Sequence, residues 1–168
     1  MNGERFTDRL NSRIQHLDNI LNQPRLVYGY FTHSLFMDHR HEKIRLHIKF
    51  TVENLTQHDL PMPELIFTLD SSNTANWEGG FLAKNTSAWS TTNRWGKVEE
   101  RDRQIRLQPP QTASWLQRNQ KVRIEQLHLE FPMDRPDNEL VLSAFIDFGE
   151  ESIYSKPALN SIEVHKLE

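Results

Sequence analysis

The chain has 168 residues, 36% of them apolar and 26% charged, with 20 Lys and Arg against 23 Asp and Glu for a net charge of −3. A chain of this length buries about 70% of the surface its unfolded form exposes, so one folded domain with a substantial core is expected. Cysteine is absent, which excludes a disulfide framework, a thiolate zinc site and cysteine nucleophilic catalysis, and the charge balance provides no global field toward nucleic acid or an anionic membrane.

Residues 4 to 22, ERFTDRLNSRIQHLDNILN, space Phe6, Leu10, Ile14, Leu17 and Leu21 by four, four, three and four. That spacing predicts an amphipathic helix over residues 1 to 24, ended by Pro24, with Arg5, Arg9 and Arg13 striping an adjoining face. The apolar stripe is a candidate interaction surface for a protein partner or for self-association. The plainer account packs it on its own domain, because fewer than three heptads are marginal alone. The first 25 residues lack the apolar stretch of a signal peptide, and no later run approaches the roughly 18 apolar residues of a membrane span. With Met1 as the natural start, a soluble cytoplasmic protein without a membrane partner is expected. Leu167 and Glu168 resemble the junction that common expression vectors leave before a histidine tag, and are set apart from a single domain expected over residues 25 to 166.

From residue 26 the hydrophobic period changes from 3.6 to 2. Ile44, Leu46, Ile48, Phe50 and Val52 alternate with Lys43, Arg45, His47, Lys49 and Thr51, which predicts a strand. With Tyr28 to Met37 before it and the polar link DHRHE between, a hairpin follows. In the first strand the odd set Val27, Phe31, His33, Leu35 and Met37 is the more apolar, so His33 is expected to point inward. His47 is then expected to point to solvent, on the opposite face, where the two cannot share a metal. His39 and His41, two residues apart, could chelate a cation with Asp38 or Glu42. No spaced partner pair elsewhere supports a metal centre, and an exposed polar loop accounts for them as well.

NLTQHDLPMP reads as a loop. Further strands are expected at ELIFTLD (64 to 70), VRIEQLHLEF (122 to 131), LVLSAFIDF (140 to 148) and a short pair around SIYS and SIEV. In VRIEQLHLEF, Val122 and Ile124 share one parity while Leu127, Leu129 and Phe131 share the other, so a β-bulge near Glu125 and Gln126 would restore one inward face. Residues 71 to 119 are the least regular, with Gly79-Gly80 as a turn, Pro109-Pro110 as a break, and short strands expected near 80 to 84, 87 to 92 and 103 to 107.

Trp77, Trp89 and Trp95 fall in that segment, near Asn73, Asn76, Asn85 and Asn93. Exposed, such rings would form a stacking platform for a carbohydrate or other small ligand, with the amides supplying hydrogen bonds. Buried, they would fill a core, a role that suits Trp115 at the start of a possible strand. RWGKVEERDRQIR, residues 94 to 106, interleaves Arg94, Lys97, Arg101, Arg103 and Arg106 with Glu99, Glu100 and Asp102. That is the pattern of a solvated strand pair, so no nucleic-acid partner is expected. PMDRPDNE, residues 132 to 139, gathers Asp134, Asp137, Asn138 and Glu139, oxygen donors of the calcium type at a spacing unlike an EF-hand loop. No G-x-S-x-G elbow, P-loop, G-x-G-x-x-G or H-E-x-x-H is present, and the sequence names no catalytic residue and no cofactor.

Seven to nine short antiparallel strands after one helix predict a mainly β fold, an immunoglobulin-like β-sandwich preceded by an N-terminal amphipathic α-helix. KIRLHIKFTVENLT followed by PMPELIFTL, and the turn LQPPQTASW, resemble the immunoglobulin-like modules of many bacterial proteins at the level of fold. The expected function is a non-enzymatic protein-interaction or adaptor module. The alternative is carbohydrate or small-ligand binding through Trp77, Trp89 and Trp95.

Overall fold

The computed structural model describes residues 27–71, 76–79, 81–83, 94–101, 103–134, 139–150 and 152–165. The helix expected over residues 1 to 24, with Phe6, Leu10, Ile14, Leu17 and Leu21, lies outside these residues, as do Trp89 and Leu167-Glu168. The described elements are all strands. They are β1 (Val27–Asp38), β2 (Lys43–Asn54), β3 (Leu60–Pro61), β4 (Glu64–Asp70), β5 (Asn76–Glu78), β6 (Phe81–Ala83) and β7 (Trp95–Arg101). After them come β8 (Gln104–Gln108), β9 (Trp115–Leu116), β10 (Lys121–Pro132), β11 (Glu139–Asp147), β12 (Lys156–Pro157) and β13 (Ile162–His165).

One sheet has the order β1-β2-β10-β5, the other β12-β11-β4-β8-β7-β6 with β13 also on β11, and β3 pairs with β9. All pairs are antiparallel except β6 with β7. The hairpin of β1 and β2 keeps one register from Val27 opposite Asn54 to Asp38 opposite Lys43. β10 joins it with a register shift between Ile124 and Leu127, and Gln126 there takes φ 64°. That is the bulge the change of parity anticipates, and it lets Ile124, Leu127, Leu129 and Phe131 all face inward, where they are buried. Gly79, at φ 70°, closes β5 against the bulge; a Cβ there would lie 2.4 Å from the Gln126 carbonyl oxygen. The segment expected as a strand around SIYS is instead a turn leading into β12.

The inward residues of both sheets form one core. Its centre is aromatic: Phe67 of β4 lies 5.9 Å from Phe31, 5.2 Å from Phe50 and 6.3 Å from Trp77, ring centre to ring centre. Burying such a ring contributes about 1.5–3 kcal/mol, and favourable ring geometry adds about 0.5–1.5 kcal/mol. Gly29 lets β1 lie close over this centre, since a Cβ there would sit 2.6 Å from Ile146 Cδ1 and 2.7 Å from Phe50 Cζ. At the other end Asn54, fully buried, satisfies its whole amide. Its Nδ2 donates to the carbonyls of His58 and Leu116, each at 2.9 Å, and its Oδ1 accepts from Thr56 N–H at 2.9 Å and Thr56 O–H at 2.6 Å.

Equilibrium denaturation will rank two substitutions in this centre. Phe67→Ala will cost about 3–5 kcal/mol through loss of the junction between sheets, and Gly29→Ala about 1–3 kcal/mol through overpacking against Phe50, whose ring cannot withdraw.

Candidate functional site

Side chains alternate across a strand, so the register places on the outer face of the four-stranded sheet the rows Asp38-Lys43-Pro132, Phe36-Arg45-Glu130-Asn76 and Ser34-His47-His128-Glu78. The rings of Phe36 and His47 lie 4.6 Å apart, and those of His47 and His128 4.3 Å. Glu130 accepts from Lys43 Nζ at 2.5 Å and from Arg45 at 2.8 Å. A cleft of about 480 Å³ opens between Phe36, Met37, the Asp38 and His41 pair, and the Lys43, Arg45 and Glu130 cluster, with His47 behind. At its rim Phe36 is 54% exposed and Met37 52%.

The turn that carries this rim is fixed by Asp38. Its Oδ1 accepts from the N–H groups of Arg40 and His41, and its Oδ2 lies 2.7 Å from His41 Nδ1. Glu42 closes the turn at φ 52°, and Met133 N–H donates to its carbonyl at 2.8 Å, tying the turn to the end of β10. Asp38 titrates below the usual carboxylate range, chiefly through the His41 hydrogen bond. Glu130 is likewise lowered by hydrogen bonds from Lys43 and then Arg45. His47 is pushed below the ordinary histidine value, first by burial and then by the neighbouring His128 and Arg45.

Several expected positions are corrected. His33 is exposed rather than buried, although it shares the face of buried Phe31. The reason is that β1 is the margin of its sheet: across the pair Ile48 and Leu46 of β2 stay buried between two strands, whereas among the described residues His33 has a paired strand on one side alone. His47 does lie on the outer face, as expected, but half-buried beneath Phe36 and His128. His39 and His41 sit in a turn rather than an extended link, and His41 is already engaged by Asp38. Among the described residues the one grouping with three ligand atoms in mutual reach is Glu139, Glu163 and His165, all exposed. There both ring nitrogens of His165 already face carboxylates, at 3.9 Å from Glu139 and 3.8 Å from Glu163.

Trp77 and Trp95 are buried at 8% and 4% exposure, so they present no open ring face for a sugar. Trp77 stands opposite Leu129 and shares its inward direction. Trp115, expected in the core, is 60% exposed because its neighbour Leu116 takes the inward place. In the strand pair of β7 and β8, Lys97 pairs with Glu100, Arg101 with Glu99 at 2.5 Å, and Arg106 with Glu64 at 3.1 Å. Asp137 and Asn138 lie outside the described residues. Phe36, Met37, His128 and Glu130 were not singled out by sequence. The signal was there: the bulge shifts the phase of β10, and from that shift His128 and Glu130 fall opposite His47 and Arg45.

No protein-family model matches the chain, and no curated protein matches it. Solved structures similar to part of it include a GH20 exo β-N-acetylglucosaminidase from Vibrio harveyi in complex with N-acetylglucosamine, at 13% identity and a TM-score of 0.35 over 83% of this chain and 18% of that one. Another is a family GH18 chitinase from Chromobacterium violaceum, at 15% identity and a TM-score of 0.39 over 78% of this chain and 18% of that one. The chain thus spans less than a fifth of either, and neither likeness is close enough to assign a fold or an activity.

The lowered groups fix the pH dependence. Folding disfavours the protonated forms of His47, Glu130 and Asp38, so the stability they contribute is present above their unfolded values and is lost as pH falls toward their folded ones. Thermal melts will therefore show a first decline through the ordinary histidine range and a second below the ordinary carboxylate range. In an NMR titration His47 will protonate below an ordinary histidine, and Arg45→Met will move it upward.

Proposed function

We propose that the chain is an immunoglobulin-like β-sandwich acting as a non-enzymatic protein-interaction module, and that it meets its partner at the hairpin end of the four-stranded sheet. The observation that carries this reading is Phe36 beside Met37, both more than half exposed at 54% and 52%, on a strand pair with unbroken register. Aromatic and methionine side chains ringed by polar groups are the usual composition of a binding hot spot, and here the ring is Asp38, Lys43, Arg45 and Glu130. Recognition is favoured because the carboxylates at the cleft are already engaged by their own neighbours, Glu130 by Lys43 and Arg45 and Asp38 by His41. Two sheets over one core, with the chain crossing between them, support the immunoglobulin-like assignment.

A second reading, carbohydrate binding, is favoured by one observation, the 60% exposure of Trp115 beside Pro61. Titration with soluble oligosaccharides would then change tryptophan fluorescence in the full chain and not in Trp115→Phe; no change in either sets this reading aside.

The interaction reading is tested by a photo-crosslinking amino acid in place of Phe36. It will capture a discrete protein in cells, while the same probe in place of exposed Gln111 will not, and Phe36→Ser will abolish the contact with a stability loss of no more than about 1 kcal/mol from the lost cross-strand ring pair. Equal labelling from both positions would refute the assignment of this surface.

A further inference from the structure

β1 is one margin of the four-stranded sheet, and among the described residues it pairs with β2 alone. In an antiparallel strand the N–H and C=O of one residue point to the same side, and successive residues alternate. The outward residues of β1 are the odd ones. Phe31 N–H donates to Asn160 Oδ1 at 2.8 Å, Asn160 Nδ2 donates to Phe31 C=O at 3.1 Å, and Leu159 N–H donates to Gly29 C=O at 2.8 Å. Leu159 and Asn160 therefore close the first half of the edge. By the same alternation His33, Leu35 and Met37 aim both backbone groups off the sheet, and no described residue bonds them.

Proteins normally blunt such an edge with proline, lysine, an inward charge, a bulge or a short strand. THSLFM, residues 32 to 37, has no proline, lysine or carboxylate, and the register shows no bulge. The other sheet margins are short by comparison: β1 has 12 residues, β5 and β6 have 3 each, β12 has 2 and β13 has 4.

We infer that this open half-edge is a dimerisation strand, occupied by β1 of a second copy running antiparallel about a two-fold axis at Leu35. The inference rests on reading the hairpin end as an interaction surface, and it names the partner. Pairing about Leu35 sets His33 opposite Met37 of the second copy, so His33, Leu35 and Met37 of both copies each exchange both backbone bonds. The strand is complementary to itself in size and charge. On the outer face, bulky Phe36 falls opposite Ser34 of the second copy, and Asp38 opposite Thr32. Lys49 is the register partner of Thr32, so the Asp38 carboxylate faces an ammonium of the second copy across a small side chain, and no like charges meet. On the inner face half-buried Leu35 meets its own equivalent and extends the apolar surface. Such an isologous contact closes on itself and leaves no length of β1 open to propagate.

Light scattering on the full chain will give a dimer. His33→Pro removes an N–H that has no partner among the described residues, at an edge where proline is tolerated, and will give a folded monomer. The chain has no cysteine, so Leu35→Cys provides a single thiol. Residues paired across such a two-fold axis lie about 5.5 Å apart at Cα, within the disulfide range of about 4.4–6.8 Å, so mild oxidation will link the copies; Gln117→Cys will not link. This second variant carries the test if His33→Pro misfolds. A full chain that stays monomeric at millimolar concentration, or a dimer that Leu35→Cys fails to link, overturns the inference. So does a monomer whose Leu35 and Met37 amides resist hydrogen exchange, because another segment of the same chain then occupies the edge. If the chain is monomeric and the probe at Phe36 captures a different protein, the dimer falls and the proposed function stands; if it captures nothing, both fall.

Discussion

Phe67 is where the two sheets lock together, at the aromatic centre of their shared core. Its ring, on β4, touches Phe31 and Phe50 of the hairpin and Trp77 of β5, so three strands of one sheet and one of the other are held at a single point. Gly29 lets the backbone of β1 approach this point closely. The bulge in β10 keeps that strand's apolar residues aimed at the same core on both sides of Gln126.

Core contact ends sooner along β1 than backbone pairing does. Phe31 is its last fully buried side chain, yet the register with β2 continues to Asp38. The length between is ordered by its hydrogen bonds to β2 and by the turn that Asp38 and Met133 fasten. Its side chains other than Leu35, which still packs against the core, are free to serve recognition at little cost to stability. Burying the core and displaying a surface are thus assigned to successive halves of one strand.

The hairpin, the inward face of its second strand and the bulge were legible in the sequence because each is a local matter of parity: Ile44 to Val52 alternate without interruption, and the slip between Ile124 and Leu127 has one simple remedy. Tryptophan burial was not legible in the same way. Trp77 lies in a strand of three residues whose inward direction is set by its distant partner Leu129. Trp115 is turned outward by the choice between it and Leu116 for one inward position. His33 illustrates the third kind of limit. Parity gave its face correctly, but burial depends on whether a strand is central or marginal, and that is a property of sheet order. The parallel pairing of β6 with β7 likewise depends on distant strand order and has no periodic signal.

The chemistry at the hairpin end is that of a preformed contact surface. Its carboxylates are satisfied, its imidazoles are stacked, and its exposed apolar groups sit on a paired backbone. Amide hydrogen exchange of Ser34 and Phe36, read residue by residue in solution, tests this most directly, since both N–H groups point toward β2. Exchange as slow as that of Leu46 is the result expected of a rigid platform with exposed side chains. Exchange as fast as that of His39 in the turn would mean that the strand frays beyond Phe31, and would contradict a preformed surface there.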